Sequence, residues 1–338
     1  MMGKKYLSSI LLSVVALVMS GCSGKQYFEP AQTYSVSANS FDGTIIDLSR
    51  DGATLDDGRY IGKSGVSTLN LGEGYRFLSE NKNYVLASNT EGILNIIDKN
   101  TKKSVRAVSL HVPVVSATIK DGIVAYILNN NTFGIYEVED NRKVVESRSE
   151  RTYAIDTRAA SPIFIDNLAV MPMLDGKLII VDIYNSDNAK VVYLSSNKVF
   201  NNVVYLSRRG NTMIAATPTK LITLGTEGKK EYSANISEVA MDSDYIYLFT
   251  KEGMVVKLNS ALQPIATKKF KFAHFSAATA FGNKVYGLDQ QGSLIVLSSD
   301  LKKFKIYDVG AVDEPAFVTG NKIYKDGKVI DLSKLGYE

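Results

Sequence analysis

The sequence predicts an all-β protein, a ring of repeated four-stranded units, and three observations carry that prediction. Runs rich in Val, Ile, Tyr and Thr alternate with Gly, Asn, Asp and Ser clusters, the signature of short strands and tight turns. A strand–turn–strand plan, as in KVYGLDQQGSLIVLSS (Lys284–Ser299), recurs at Tyr84–Asp98, Val124–Glu139, Ala169–Ile183, Met213–Thr226, Tyr245–Asn259 and Ile323–Ser333. The turn in each copy falls near Gly92, Gly134, Gly176, Lys220, Gly253, Gly292 and Gly327. That spacing, about 33 to 44 residues, is the period of β-propeller blades.

Each unit reads as four strands. An inner strand (YRFLS, VVSATI, PIFID, NVVYLS, EVAMD, SAATAF, PAFVTG) leads into a turn of Asn, Asp and Gly. These residues tolerate the positive φ that tight hairpins require. The central hairpin follows, and then a more polar outer strand such as KSVRAVSL or KKFKIYDV. The count is about seven blades. An eighth, built from residues 41–72, is the alternative, since TIIDLS (Thr44–Ser49) and DGRYIG (Asp57–Gly62) read as a hairpin outside the repeat. The last unit lacks a fourth strand, and VSTLNLG (Val66–Gly72) precedes the first unit as a strand without one. Pairing the two is expected to close the ring and remove an exposed sheet edge. Pro172 and Pro218 are expected at strand ends or bulges, because proline gives the ladder no donor. Strand tyrosines, among them Tyr84, Tyr126, Tyr205, Tyr245, Tyr247, Tyr286 and Tyr324, are expected to pack between blades with the hydroxyl at a rim partner.

The N-terminus reads as a targeting segment. Lys4 and Lys5 precede an apolar run, Tyr6–Val18, shorter than the ~20 residues of a membrane span. Met19-Ser20-Gly21-Cys22 follows. Small residues before the only cysteine resemble the lipobox of bacterial lipoproteins, with Met19 where leucine is commonest. That resemblance implies cleavage before Cys22, its lipidation, and a membrane anchor held by buried acyl chains. Ser23, where an aspartate would resemble the inner-membrane retention signal, points to the outer membrane, facing the periplasm. The expected organisation is a signal peptide over 1–21, a lipidated cysteine and flexible tether over 22–40, and the propeller over 41–338.

Composition narrows the function classes. Removing residues 1–21 leaves 37 basic against 35 acidic side chains, a net of +2. Nucleic-acid binding needs a concentrated basic face, and none is expected here. With Cys22 lipidated, no disulfide can form. His111 and His274 lie far apart and read as structural or surface residues, and no G-x-S-x-G elbow accompanies them. The run Asp47 to Gly58 fits only the first half of a calcium loop and ends in glycine, where bidentate glutamate belongs. A hairpin turn is the simpler reading. The basic pairs Lys102-Lys103, Arg142-Lys143, Lys229-Lys230, Lys268-Lys269 and Lys302-Lys303 fall near the outer strands, where lysine guards sheet edges. No catalytic, cofactor or metal residue is assigned. Asp156, Asp166 and Glu314 are the acids to watch in a central channel, where three convergent carboxylates would mark a hydrolase.

The units GILNIID and GKLIIVD resemble PQQ-like and WD-type propeller repeats. A lipobox followed by such a propeller is similar to the BamB family, lipoproteins of the outer-membrane barrel-assembly machine. That family has eight blades. The resemblance implies a non-enzymatic scaffold binding an envelope protein, barrel assembly being the leading process and a secretion or motility apparatus the next. A ligand-binding or hydrolytic channel is the contrasting class. PQQ-dependent dehydrogenases are a poorer match, because the resemblance would imply tryptophan docking motifs and often paired cysteines. This chain has no tryptophan and one cysteine.

Overall fold

The computed structural model describes residues 26–152, 155–156, 158–197, 199–312 and 315–338. The expected signal peptide and Cys22 lie outside them.

Thirty-three strands form eight sheets. The chain enters through β1 (Tyr34–Ser35) and β2 (Asn39–Ser40). Blade 1 is β3 (Ile45–Leu48), β4 (Ala53–Leu55), β5 (Tyr60–Gly62) and β6 (Gly65–Val66). Blade 2 is β7 (Arg76–Glu80), β8 (Tyr84–Ser88), β9 (Ile93–Asp98) and β10 (Ser104–Ser109). Blade 3 is β11 (Val114–Lys120), β12 (Ile123–Leu128), β13 (Thr132–Glu137) and β14 (Arg142–Arg148). Blade 4 is β15 (Ile163–Ile165), β16 (Leu168–Pro172), β17 (Lys177–Asp182) and β18 (Asn185–Tyr193). Blade 5 is β19 (Tyr205–Arg209), β20 (Thr212–Thr217), β21 (Lys220–Gly225) and β22 (Gly228–Ser233). Blade 6 is β23 (Ile236–Met241), β24 (Ile246–Thr250), β25 (Met254–Leu258) and β26 (Pro264–Lys269). Blade 7 is β27 (Phe275–Phe281), β28 (Lys284–Asp289), β29 (Ser293–Ser298) and β30 (Phe304–Asp308). Blade 8 holds β31 (Phe317–Thr319), β32 (Lys322–Lys325) and β33 (Lys328–Asp331).

The all-β propeller is as expected, but the count is eight rather than about seven. Residues 41–72 are a blade inside the ring, not a hairpin outside it. The blade was hard to see because its strands are two to four residues long. Its central turn still carries a glycine, Gly58, at φ +81°, 34 residues before Gly92.

Closure also differs from expectation. Val66 ends β6, and Ser67 and Leu71 donate back to Tyr60 O and Gly58 O within blade 1. The missing fourth strand of blade 8 is β2, paired antiparallel with β33 through Asn39↔Val329 and Ser40↔Lys328. The segment expected as a tether therefore supplies a blade strand. It supplies a second as well, since β1 adds in parallel to the outer edge of β30 (Tyr34↔Tyr307). Phe28 packs edge-on against Phe270 along the same path.

The core is divided between blades. Eight apolar clusters each join two neighbours, and the last, around Ile45, Leu55, Phe317 and Tyr324, joins blade 1 to blade 8. The tyrosine expectation holds in these seams. Tyr126, Tyr247 and Tyr286 are buried, and their hydroxyls donate to Glu146, Asp242 and Leu332 O. Burial pushes the Tyr286 phenol up to about 12. Pro172 closes β16, and Pro218 lies in the turn between β20 and β21.

The repeat glycine has a packing cause. At Gly292, φ is +88°, and a Cβ would lie 1.9 Å from Gly310 O in the loop leaving the blade. A Cβ at Gly253 would lie 2.1 Å from Phe270 O in the same relation. The central turn touches the next connection, so only glycine fits.

Candidate functional site: an axial cavity and an exposed rim

A cavity of about 600 Å³ lies along the ring axis. Its wall is built by the innermost strands of blades 1, 2, 3, 6, 7 and 8, and by the segment entering blade 4. Ile46 and Leu48 of β3, Val115, Ile155, Phe317 and Val318 make much of it apolar.

Charge enters through arginines and carboxylates. Arg50, in the turn after β3, reaches across the ring. Its Nε donates to Val204 O at the entrance to blade 5 (2.7 Å), and Nη1 donates to Glu238 Oε2 of blade 6 (3.2 Å). Arg158, before blade 4, places Nη1 3.5 Å from Glu238 Oε1 and grips Asp156 through Nε (2.7 Å) and Nη2 (2.6 Å). One carboxylate thus ties blade 1 to blade 4. Burial works to raise the Asp156 pKa, but the Arg158 fork and backbone N–H outweigh it and hold the carboxyl below its ordinary value. Asp47 faces Arg76 at 3.8 Å. Burial raises its pKa, with Arg76 opposing. Burial likewise raises Asp51 beside Arg50.

The acids singled out in the sequence do not converge. Asp156 sits beside the cavity and is committed to Arg158. Asp166 occupies the turn between β15 and β16, where its carbonyl accepts from Lys120. Glu314 lies outside the described residues. The Asp47–Gly58 run is likewise dispersed: Asp56 Oδ1 accepts from Thr44 N, and Asp57 holds Arg59. Among the described residues, no three His, Cys, Asp or Glu side chains are grouped to hold a metal. His111 and His274 lie in the loops entering blades 3 and 7. The His111 ring meets Ser109 Oγ (3.2 Å), and the His274 backbone N–H donates to Asp289 (2.7 Å). Most basic pairs have local partners, for example Arg142 with Glu137 and Lys230 with Glu227. Sequence reasoning missed Arg50, Arg158 and Glu238, which are far apart in the chain and carry no spacing signal.

The outer rim offers a second surface. Among the described residues, five of the thirteen exposed large apolar side chains fall between residues 184 and 200: Tyr184, Val191, Tyr193, Val199 and Phe200. Tyr184 is 86% exposed and Tyr193 59%. Tyr184 lies in the turn entering β18, Val191 and Tyr193 at the far end of that strand, and Val199 and Phe200 in the loop after it; β18, nine residues long, is the free edge of blade 4. Exposed apolar side chains gathered beside a free edge suit protein contact better than single scattered ones do.

No protein-family model matches the chain. It is 25% identical to a Helicobacter pylori J99 protein named plasminogen-binding protein PgbB, over 97% of this chain and 70% of that one. The like-named protein of strain 26695 is 24% identical, over 97% and 69%. Among solved structures, BamB from Moraxella catarrhalis superposes with a TM-score of 0.69 at 16% identity, covering 88% of this chain and 98% of that one. Sqt1 from Saccharomyces cerevisiae gives 0.65 at 9% identity, over 88% and 98%. At such identities these likenesses show the fold. The BamB-like resemblance read from the repeats is supported at that level.

Proposed function

We propose that this protein is a non-enzymatic scaffold, anchored through a lipid on Cys22 to the periplasmic side of the outer membrane, that binds another envelope protein. Outer-membrane barrel assembly is the leading process. The observation that carries the reading is the set of exposed apolar side chains along and beside the free edge of blade 4, Tyr184, Tyr193 and Phe200 among them. Aromatic side chains of this kind anchor protein interfaces. The axial carboxylates support it from the other side: Asp47 faces an arginine, and Glu238 and Asp156 are bound by theirs, instead of flanking a substrate.

The two relatives matched over 97% of this chain, and over 70% and 69% of their own length, favour a second reading: they are named for binding plasminogen, and the rim here would do the same.

Crosslinked capture from native membranes, with a soluble Cys22→Ala form and a Tyr184→Ser/Tyr193→Asp rim variant alongside, tests the proposal. Recovery of barrel-assembly components that is lost in the rim variant is the expected result. Recovery of another envelope complex keeps the scaffold and replaces the process. If purified plasminogen binds and no membrane protein is recovered, the second reading prevails. Capture unaffected by the rim variant overturns the assignment of this surface.

A further inference from the structure

The axial cavity holds guanidinium donors that its protein acceptors do not use up, beside a largely apolar stretch of wall. A guanidinium carries five N–H donors. Arg76 donates through Nη2 to Val114 O, and its Nη1 stands 3.8 Å from Asp47 Oδ2, too long for a hydrogen bond. Arg50 spends Nε on Val204 O and Nη1 on Glu238. The remaining donors of Arg76, and the whole Nη2 group of Arg50, meet no protein acceptor among the described residues. Neither side chain is sealed from solvent: Arg76 is about a third exposed and Arg50 a quarter. Glu238 is already shared by Arg50 and Arg158. Asp156 neutralises Arg158 beside the lining, and Asp47 faces Arg76, so what the cavity offers an anion is the unspent N–H donors of Arg76 and Arg50 and not a surplus of positive charge.

The apolar part of the wall is also accessible. Ile46 is 60% exposed although it lies on an innermost strand, so its side chain borders open space on the axis. A cavity of this size, mostly apolar with a few convergent polar groups, matches the usual anatomy of a small-molecule site. Its unspent groups are planar donor forks, the geometry that suits an oxyanion.

We propose that the axial cavity binds a small amphipathic organic anion, with its carboxylate on Arg76 and Arg50 and its hydrocarbon body against Ile46, Leu48, Val115 and Phe317. The site is independent of the rim and of the scaffold reading.

The test is calorimetric titration of the full chain bearing Cys22→Ala, with decanoate, decyltrimethylammonium and acetate, each below its micelle-forming concentration. Decanoate is expected to saturate a single site, with the cation and the bare head group at least about tenfold weaker. Arg76→Gln is expected to weaken decanoate about tenfold, the scale of one charge-assisted hydrogen bond. Ile46→Trp, which fills the cavity from an exposed position, is expected to abolish binding with the melting temperature unchanged. It decides the matter even if Arg76→Gln fails to fold. The proposal is overturned by any of three results: no saturable decanoate binding, equal affinity for the cation, or decanoate affinity unchanged in Ile46→Trp.

Discussion

Blades 2 to 7 and the closing pair, blades 8 and 1, reach the same four-stranded architecture by different means. Each of blades 2 to 7 is a continuous stretch of chain with an internal meander. Blade 8 borrows its outer strand from residues about 290 positions away, and blade 1 is half the usual length. The regular blades rest on apolar seams, and blades 2, 4, 6 and 7 add a glycine at the central turn. Buried or partly buried ion pairs occur there too, Lys99 with Glu80 in blade 2 and Lys177 with Asp175 in blade 4, but in the closing region a buried ammonium joins one blade to the next. Lys325 of β32 is 1% exposed, and its ammonium donates to Val309 O (3.0 Å), Gly310 O (3.2 Å) and Ala311 O (2.9 Å) while pairing with Asp326. It staples blade 8 to the chain leaving blade 7. Arg50 likewise runs from blade 1 to the far side of the ring. At closure, Lys325 and Arg50 add charged ties between blades to the apolar seams.

The largest test of this contrast is Lys325→Met. It keeps roughly the length of the side chain but takes the buried cation from the Val309, Gly310 and Ala311 carbonyls and from the Asp326 carboxylate, so denaturant titration should show a loss of about 3–5 kcal/mol. A loss under about 1 kcal/mol would show that the apolar seams alone close the ring.

Next in size is a pair of glycine substitutions in regular blades. Gly292→Ala combines positive φ with a clash against Gly310 O and should cost about 2–4 kcal/mol. Gly122→Ala, at φ +77° with nothing within 4 Å, carries the backbone term alone and should cost about 1 kcal/mol. Equal losses in thermal melts would remove the close approach as the reason for the repeat glycine.

The smallest effect concerns the tie across the axis. Asp156→Asn should cost about 1–2 kcal/mol at pH 7, since it weakens a two-pronged bond to Arg158. The folded carboxyl titrates below its unfolded value of about 3.9, so its contribution is present above about pH 4 and is lost as pH falls through the folded value. The gap in melting temperature between wild type and variant should therefore shrink in acid. A gap that persists at pH 2 would rule out an ionic origin.

The regular blades were legible because a hairpin buried on both faces leaves runs of Val, Ile, Leu and Tyr between polar turns, and a close approach at the turn leaves glycine in sequence. Gly92, Gly176, Gly253 and Gly292 mark the repeat for that reason. Blade 1 was obscured by its shortness, although Gly58 keeps the period. Lys220 keeps its place without glycine, at the start of β21 rather than in a crowded turn. The rim tyrosines were visible as residues but not as exposed ones. Tyr193 on an outer strand and Tyr247 on an inner hairpin are the same letter, and only the neighbouring blade decides which is buried.

The sequence by itself determined the fold class, the unit and the polar outer strands, because these follow from apolar strand runs and turn chemistry within some 40 residues. The tertiary structure decided the eighth blade, the closing strand Asn39–Ser40, the Arg50–Glu238–Arg158 tie and the exposed rim. Each of these joins or separates groups far apart in the chain, and their pairing depends on the angle at which the ring closes, a quantity no local pattern encodes.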